Sequence, residues 1–177
     1  MVAIVDAPER GLALSNNSDS IRPGEVTLDA HARRDDASVQ FIGRIKTPFA
    51  TRADCPRQGD VDAGPICRLE IEPVWQPALQ GLEEYEWVEV IYWLHQARRD
   101  MILQSPKANG ITRGTFALRS PLRPNPIGTS LCRLVGIENG VVLVRGLDCL
   151  DNTPLIDLKP DRCSYSPLAP HKAPARA

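Results

Sequence analysis

Thr129-Ser-Leu-Cys-Arg-Leu-Val-Gly-Ile-Glu138, then Asn139-Gly140, then Val141-Val-Leu-Val-Arg-Gly-Leu147 is the stretch from which the fold can be read. Two runs rich in apolar and β-branched residues flank an Asn-Gly pair, and those two residue types accept the positive φ angles of a tight hairpin turn. Upstream, Cys67, Leu69 and Ile71 alternate with Arg68, Glu70 and Glu72, the period of a half-buried strand. Glu86 to His95 is the most apolar run and reads as a central strand buried on much of both faces. Val39 to Lys46 reads as an earlier strand, Thr115 to Leu118 as a short one, and Asp148 to Pro160 as a turn leading into a last short strand. Val26-Thr27-Leu28 can add one more. Only Pro73 to Leu82, with proline near its start and Gly81 near its end, looks helical. About seven strands without strand-helix alternation predict an all-β domain, a small closed or nearly closed β-barrel with a short helix and long loops.

A chain of 177 residues suits one core with appendages. The pattern divides it into a polar leader (1–38), a barrel domain (39–163) and an irregular tail (164–177). No apolar run approaches the roughly 18 to 20 residues that span a bilayer, and no basic start precedes an apolar stretch. A cytoplasmic protein without a membrane partner is expected. The five cysteines are widely spaced with no C-x-x-C pair, and only three histidines accompany them. Free thiols and no metal site are therefore expected.

Net charge is −1, which gives no bulk attraction to nucleic acid. Local charge differs. Between His95 and Ser130, Arg98, Arg99, Lys107, Arg113, Arg119 and Arg123 face Asp100 alone, whereas eight acids between Asp60 and Val90 face only Arg68. Inside the basic block, Gly114 to Ser130 carries Arg119, Arg123 and Pro124-Asn125-Pro126-Ile127-Gly128. Each proline fixes its own φ and restricts the residue before it, so Asn125 is held between two locked neighbours. Fixed arginines, a fixed amide and a glycine suit a small anionic or polar ligand. The alternative is a stiff corner with its arginines in solvent. Two further loops have chemical content: Phe49 to Pro65, which is long for a compact domain, and the basic Ala97 to Arg113, which reads as a lid or a mobile excursion. No G-x-G-x-x-G, P-loop or G-x-S-x-G occurs, so dinucleotide, nucleoside-triphosphate and serine-hydrolase chemistries find no support.

Pro56-Arg57-Gln58, the run Arg119…Arg123-Pro124-Asn125-Pro126-Ile127-Gly128…Ser130, and Leu150-Asp151-Asn152-Thr153-Pro154…Asp157-Leu158-Lys159-Pro160, with His95-Gln96 beside them, together resemble the TsaA-like (TrmO-type) family of β-barrel S-adenosyl-L-methionine-dependent tRNA methyltransferases. The resemblance covers roughly residues 40 to 163. It implies that S-adenosyl-L-methionine is the cofactor, with Pro56, Arg57, Gln58, His95, Gln96, Arg119, Leu150, Asp151 and Thr153 lining its pocket. It further implies a homodimer and, as substrate, tRNA carrying threonylcarbamoyl-adenosine beside the anticodon, methylated at N6. Two positions depart from the family pattern: Asn152 stands where glycine is usual, and Asp161 where tyrosine is usual. The chain also ends soon after the barrel, without the C-terminal domain of some tRNA-acting members, which leaves the acceptor more open than the cofactor. A small-molecule methyltransferase and a non-catalytic barrel that binds the cofactor or RNA are the alternatives.

Methyl transfer from a sulfonium needs chiefly in-line positioning and exclusion of water. A substituted adenosine N6 must also lose a proton. His95 is the first candidate base and Asp157 the second. Arg98, Arg99, Arg113, Arg123 and Asn125 are the candidate substrate contacts, the arginines meeting RNA phosphates.

Overall fold

The computed structural model describes residues 21–28, 36–107 and 109–161. The strands are β1 (Val26–Thr27), β2 (Gly43–Lys46), β3 (Cys67–Ile71), β4 (Trp87–Trp93), β5 (Met101–Gln104), β6 (Arg113–Gly114), β7 (Ile127–Glu138), β8 (Val141–Arg145) and β9 (Thr153–Pro160). Six of them close a barrel in the order β2-β3-β8-β7-β4-β9, with β9 pairing back to β2 and every neighbour antiparallel. The other three form a separate sheet, β1-β5-β6. The tail expected from residue 164 lies outside the described residues, as do positions 1–20 and 29–35 of the leader.

The β7–β8 hairpin turns at Asn139 (φ 49°) and Gly140 (φ 78°), as the Asn-Gly pair requires. Side-chain alternation fills the interior. Ile45, Leu69, Val88, Val90, Cys132, Val142, Val144 and Leu155 are fully buried, and Cys67 is nearly so. The strand expected at Glu86 to His95 forms as β4, but only Val88, Val90 and Tyr92 are buried while Trp87, Glu89, Ile91 and Trp93 are half-exposed. Among the described residues no second layer covers its outer face, and the burial on both faces expected from its apolar content does not occur there.

The segment 73–84 forms two 3-10 turns, Pro73–Leu79 and Leu82–Glu84, hinged at Gly81 (φ 84°). Pro77, inside the first, has no N–H to donate, which disfavours an α-helical ladder there. Thr115 to Leu118, read as a strand, is a 3-10 turn over Thr115–Ala117. Ala97 to Arg113 is not a plain loop: it contains β5, whose edges pair with β1 and β6. Residues 94–107 and 109–126 therefore belong to an excursion between two strands that pair directly, Trp93 opposite Ile127. Part of the leader docks on it. Glu25 accepts from Ser105 N–H at 2.8 Å and Arg22 N–H at 2.9 Å, and Arg22 donates to the Ser105 carbonyl at 3.0 Å.

Candidate active site

The register brings the C-terminal ends of β2, β4 and β8 and the N-terminal ends of β3, β7 and β9 to one rim of the barrel, since Lys46 lies opposite Arg68, Cys67 opposite Val144, and Trp93 opposite Ile127. Every loop singled out in the sequence leaves from this rim. The loop after β2 is seated by close backbone contact: a Cβ on Gly59 would come within 1.9 Å of the Gly146 carbonyl oxygen, so only glycine fits. That contact anchors the adjacent Pro56-Arg57-Gln58.

The proline-rich loop is braced by side chains. Prolines donate no backbone N–H, and the loop's carbonyls are met instead by Arg99 Nε on Pro124 (2.7 Å), Arg123 Nε on Ser120 (2.8 Å), Arg123 Nη2 on Leu118, and Gln104 Nε2 on Leu122 (2.6 Å). Gln104 is 4% exposed and also donates to Thr115 Oγ1 at 2.9 Å, which in turn donates to the Met101 carbonyl. Pro126 is fully buried, and its carbonyl accepts from Leu94 N–H at 2.8 Å, tying the loop to the end of β4.

Between these loops lies a cleft of about 1110 Å³. Pro56, Arg57, Gln58, His95, Gln96, Arg119, Arg123, Leu150 and Thr153 line it, joined by Arg52, Phe116 and Asp148. Residues separated by whole strands thus meet at one site. Thr153 is buried and donates its hydroxyl to the Leu150 carbonyl at 2.8 Å, closing the turn that presents Leu150. Phe116 is 87% exposed at the lip.

Other predicted positions lie elsewhere. Asp151 does not line the cleft: its carboxylate accepts from Thr47 N–H at 3.1 Å and from Asn152 Nδ2 at 2.8 Å, so it holds the loop before β9. Asp157 lines a separate, largely apolar groove of about 560 Å³ with Ile42, Ile71 and Trp75, and it pairs with Lys159. Arg98 pairs with Asp100 at 2.8 Å, Arg99 braces the loop and sits over the Trp93 ring at 5.4 Å, and Arg113 and Asn125 are exposed. Asn152, in the usual glycine position, adopts φ 61°, which asparagine tolerates better than most residues.

His95 stands exposed at the cleft mouth, yet partial desolvation and then the nearby Arg44 charge hold its pKa below the ordinary 6.5, against an opposing hydrogen bond with the Trp93 backbone. It is a neutral imidazole near neutral pH. Tyr92, Ser130 and Asp148 are in the cleft wall; the sequence assigns no site role to any of them, although Ser130 closes the Arg119 to Ser130 run. The Tyr92 phenol donates to Asp148 Oδ1 at 2.8 Å and lies 2.9 Å from Ser130 Oγ, which is 3.3 Å from the same Oδ1. Burial foremost, then the Asp148 charge, pushes the phenol far above its usual range, so it remains a donor. Gly128 makes room for that ring: a Cβ there would lie 2.2 Å from Tyr92 Cε2. The signal was present in the glycine of Pro-Ile-Gly, but it marks a tyrosine rather than a ligand. Of the cysteines, Cys67, Cys132 and Cys149 are buried free thiols and Cys55 a half-buried one; burial pushes Cys67 up to about 11 and Cys132 up to about 12. Cys163 lies outside the described residues. Among the described residues no three His, Cys, Asp or Glu cluster to hold a metal, and no helix is long and apolar enough to cross a membrane.

Residues 44–165, more than half of the chain, match the family model of the tRNA-methyltransferase O N-terminal domain. The chain belongs to this family. The tRNA-methyltransferase O family is one of S-adenosyl-L-methionine-dependent methyltransferases, as the motifs implied. A probable S-adenosyl-L-methionine-binding protein, VirR, of Rhizobium radiobacter is 49% identical over 87% of each chain. A mouse tRNA (adenine(37)-N6)-methyltransferase is 33% identical over 70% of this chain and 30% of its own length. The crystal structure of TrmO from Pseudomonas aeruginosa matches with TM-score 0.63 and 32% identity over 81% of this chain and 63% of that one. The chain thus spans under two thirds of that solved relative.

Proposed function

We propose that the protein transfers the methyl group of S-adenosyl-L-methionine to N6 of threonylcarbamoyl-adenosine beside the anticodon of tRNA, in the rim cleft. The observation that carries this reading is the convergence of Arg57, Gln58, His95, Gln96, Arg119, Leu150 and Thr153 on one cleft of a tRNA-methyltransferase O family barrel. The residues fit the cofactor chemically. Arg57 and Arg119 suit the carboxylate of its methionine arm, an aromatic Phe116 and the side chains of Leu94, Leu118 and Leu150 suit an adenine face, and the volume accommodates a nucleoside. When bound, the cofactor supplies an already activated methyl group.

What this chain contributes is then position, exclusion of water and a proton acceptor. The braced 114–126 loop holds Arg119 without reorganisation. His95, neutral because its pKa is lowered, can accept the proton that leaves N6. Arg113, exposed on the excursion, offers a cation to RNA phosphates. Asp157 would reach this chemistry only from another groove, which favours His95 as the base.

A homodimer accompanies this reading. Ile127 (41% exposed), Leu131 (48%) and Val135 (45%) alternate along the outer face of β7 beside half-exposed Trp87, Ile91 and Trp93 of β4. Ile127 and Leu131 also line the cleft, so a second copy seated there would border the cofactor. A cytoplasmic location suits a tRNA substrate.

The test is incubation with methyl-labelled cofactor and tRNA with or without threonylcarbamoyl-adenosine, followed by nucleoside mass analysis. Label on that nucleoside alone is expected. Cofactor binding with no label on any RNA would support the binding-only reading favoured by the names of several relatives, and label on a small metabolite would support the other.

A further inference from the structure

Asp148 is the one acidic residue among those lining the cleft, where Arg52, Arg57, Arg119 and Arg123 supply the opposite charge. Its two oxygens are not equivalent. Oδ1 takes the Tyr92 hydroxyl at 2.8 Å and the Ser130 hydroxyl at 3.3 Å, whereas Oδ2 has no hydrogen-bond partner among the described residues. Asp151, three residues on, has both oxygens engaged, one by Thr47 N–H after β2 and the other by Asn152 Nδ2. A half-buried carboxylate with one oxygen fixed and the other open to a cleft is a preorganised acceptor for a cation. The fixing is itself built into the strands. Tyr92 lies on β4, Ser130 on β7, and Gly128 is bare so that the phenol can reach. A zwitterionic amino-acid arm needs a cationic partner for its carboxylate and an anionic one for its ammonium, and the arginines supply only the first.

We propose that Asp148 is the anionic half of the subsite for the cofactor's methionine arm, its Oδ2 facing the cationic part of that arm, the α-ammonium or the sulfonium. The inference rests on the cofactor reading above and adds a residue to it. Tyr92 and Ser130 are positioning residues that aim the carboxylate.

Calorimetric titration of the wild type, Asp148→Asn and Asp148→Glu with three ligands tests it: S-adenosyl-L-methionine, S-adenosyl-L-homocysteine, and 5′-methylthioadenosine, which lacks both the amino-acid arm and the positive sulfur. Asp148→Asn is expected to weaken S-adenosyl-L-methionine about tenfold or more while leaving 5′-methylthioadenosine unchanged. Equal loss for S-adenosyl-L-homocysteine assigns the contact to the ammonium, and loss for the methylated ligand alone assigns it to the sulfonium. Asp148→Glu should recover part of the selective affinity. Unchanged S-adenosyl-L-methionine binding, or 5′-methylthioadenosine weakened as much, would overturn the proposal. If Asp148→Asn does not fold, Tyr92→Phe and Ser130→Ala should show a smaller loss of the same selectivity, and a uniform loss across ligands would overturn it. A wild type that binds none of the three would remove the cofactor reading itself, and the inference with it.

Discussion

At the scale of single residues, the site depends on one missing side chain. Gly128 faces Tyr92 across β7 and β4, and its Cα approaches so closely that a methyl group would overlap the ring. Gly128→Ala should therefore cost about 1–3 kcal/mol by forcing the ring or the strand to move. Chemical denaturation measures it, and an unchanged midpoint would contradict the packing described. His95 gives a second prediction. Its pKa lies below 6.5, so the proton-accepting form prevails above that value and is lost only as the pH falls through the lowered one. Methyl transfer should be flat around neutrality and decline in the acid range, and His95→Gln should remove that decline together with most of the rate. An acid limb that persists unaltered in the variant would assign it to another group. Asn152 shows what sequence could carry at this scale: it stands where glycine is usual, asparagine tolerates positive φ better than most residues, and φ is 61°. The Tyr92–Ser130–Asp148 contact could not be read in advance, because it joins side chains from two strands and a loop whose register only the closed barrel fixes.

At the scale of elements, the proline-rich loop is a brace, and its stiffness comes from its neighbours as much as from its prolines. Arg99 and Gln104 from outside the loop, and the Arg123 side chain within it, satisfy its carbonyls. Replacing Pro124 and Pro126 with alanine should weaken cofactor binding several-fold, although neither lines the cleft, because a looser loop adds ordering entropy to binding, of order 1 kcal/mol per residue freed. Equal affinity in a binding titration would reduce the loop to a plain corner. The strands of the barrel were legible because their alternation is local. β5 was not, since Met101–Gln104 is short, ends in a buried glutamine, and draws its partners from β1 far upstream. Thr115 to Leu118 was misread for a related reason: its β-favouring residues sit where the Thr115 hydroxyl bonds back to Met101 and the chain turns.

At the scale of the whole molecule, a six-stranded antiparallel barrel gathers at one rim every loop that the motifs marked, while Ile127, Leu131 and Val135 stand exposed along the outer face of β7 with Thr129 and Arg133 between them. For the homodimer proposed above, light scattering should find dimers in the wild type and monomers in Leu131→Asp; a monomeric wild type would contradict the proposed dimer, and a variant that stays dimeric would move the interface elsewhere. The central claim is that the rim cleft is a cofactor site. Isothermal titration of S-adenosyl-L-methionine into the wild type and Arg119→Ala tests it most directly. One saturable site per chain in the wild type and strongly reduced affinity in the variant are expected; no binding by the wild type, or undiminished binding by Arg119→Ala, would contradict a cofactor site there.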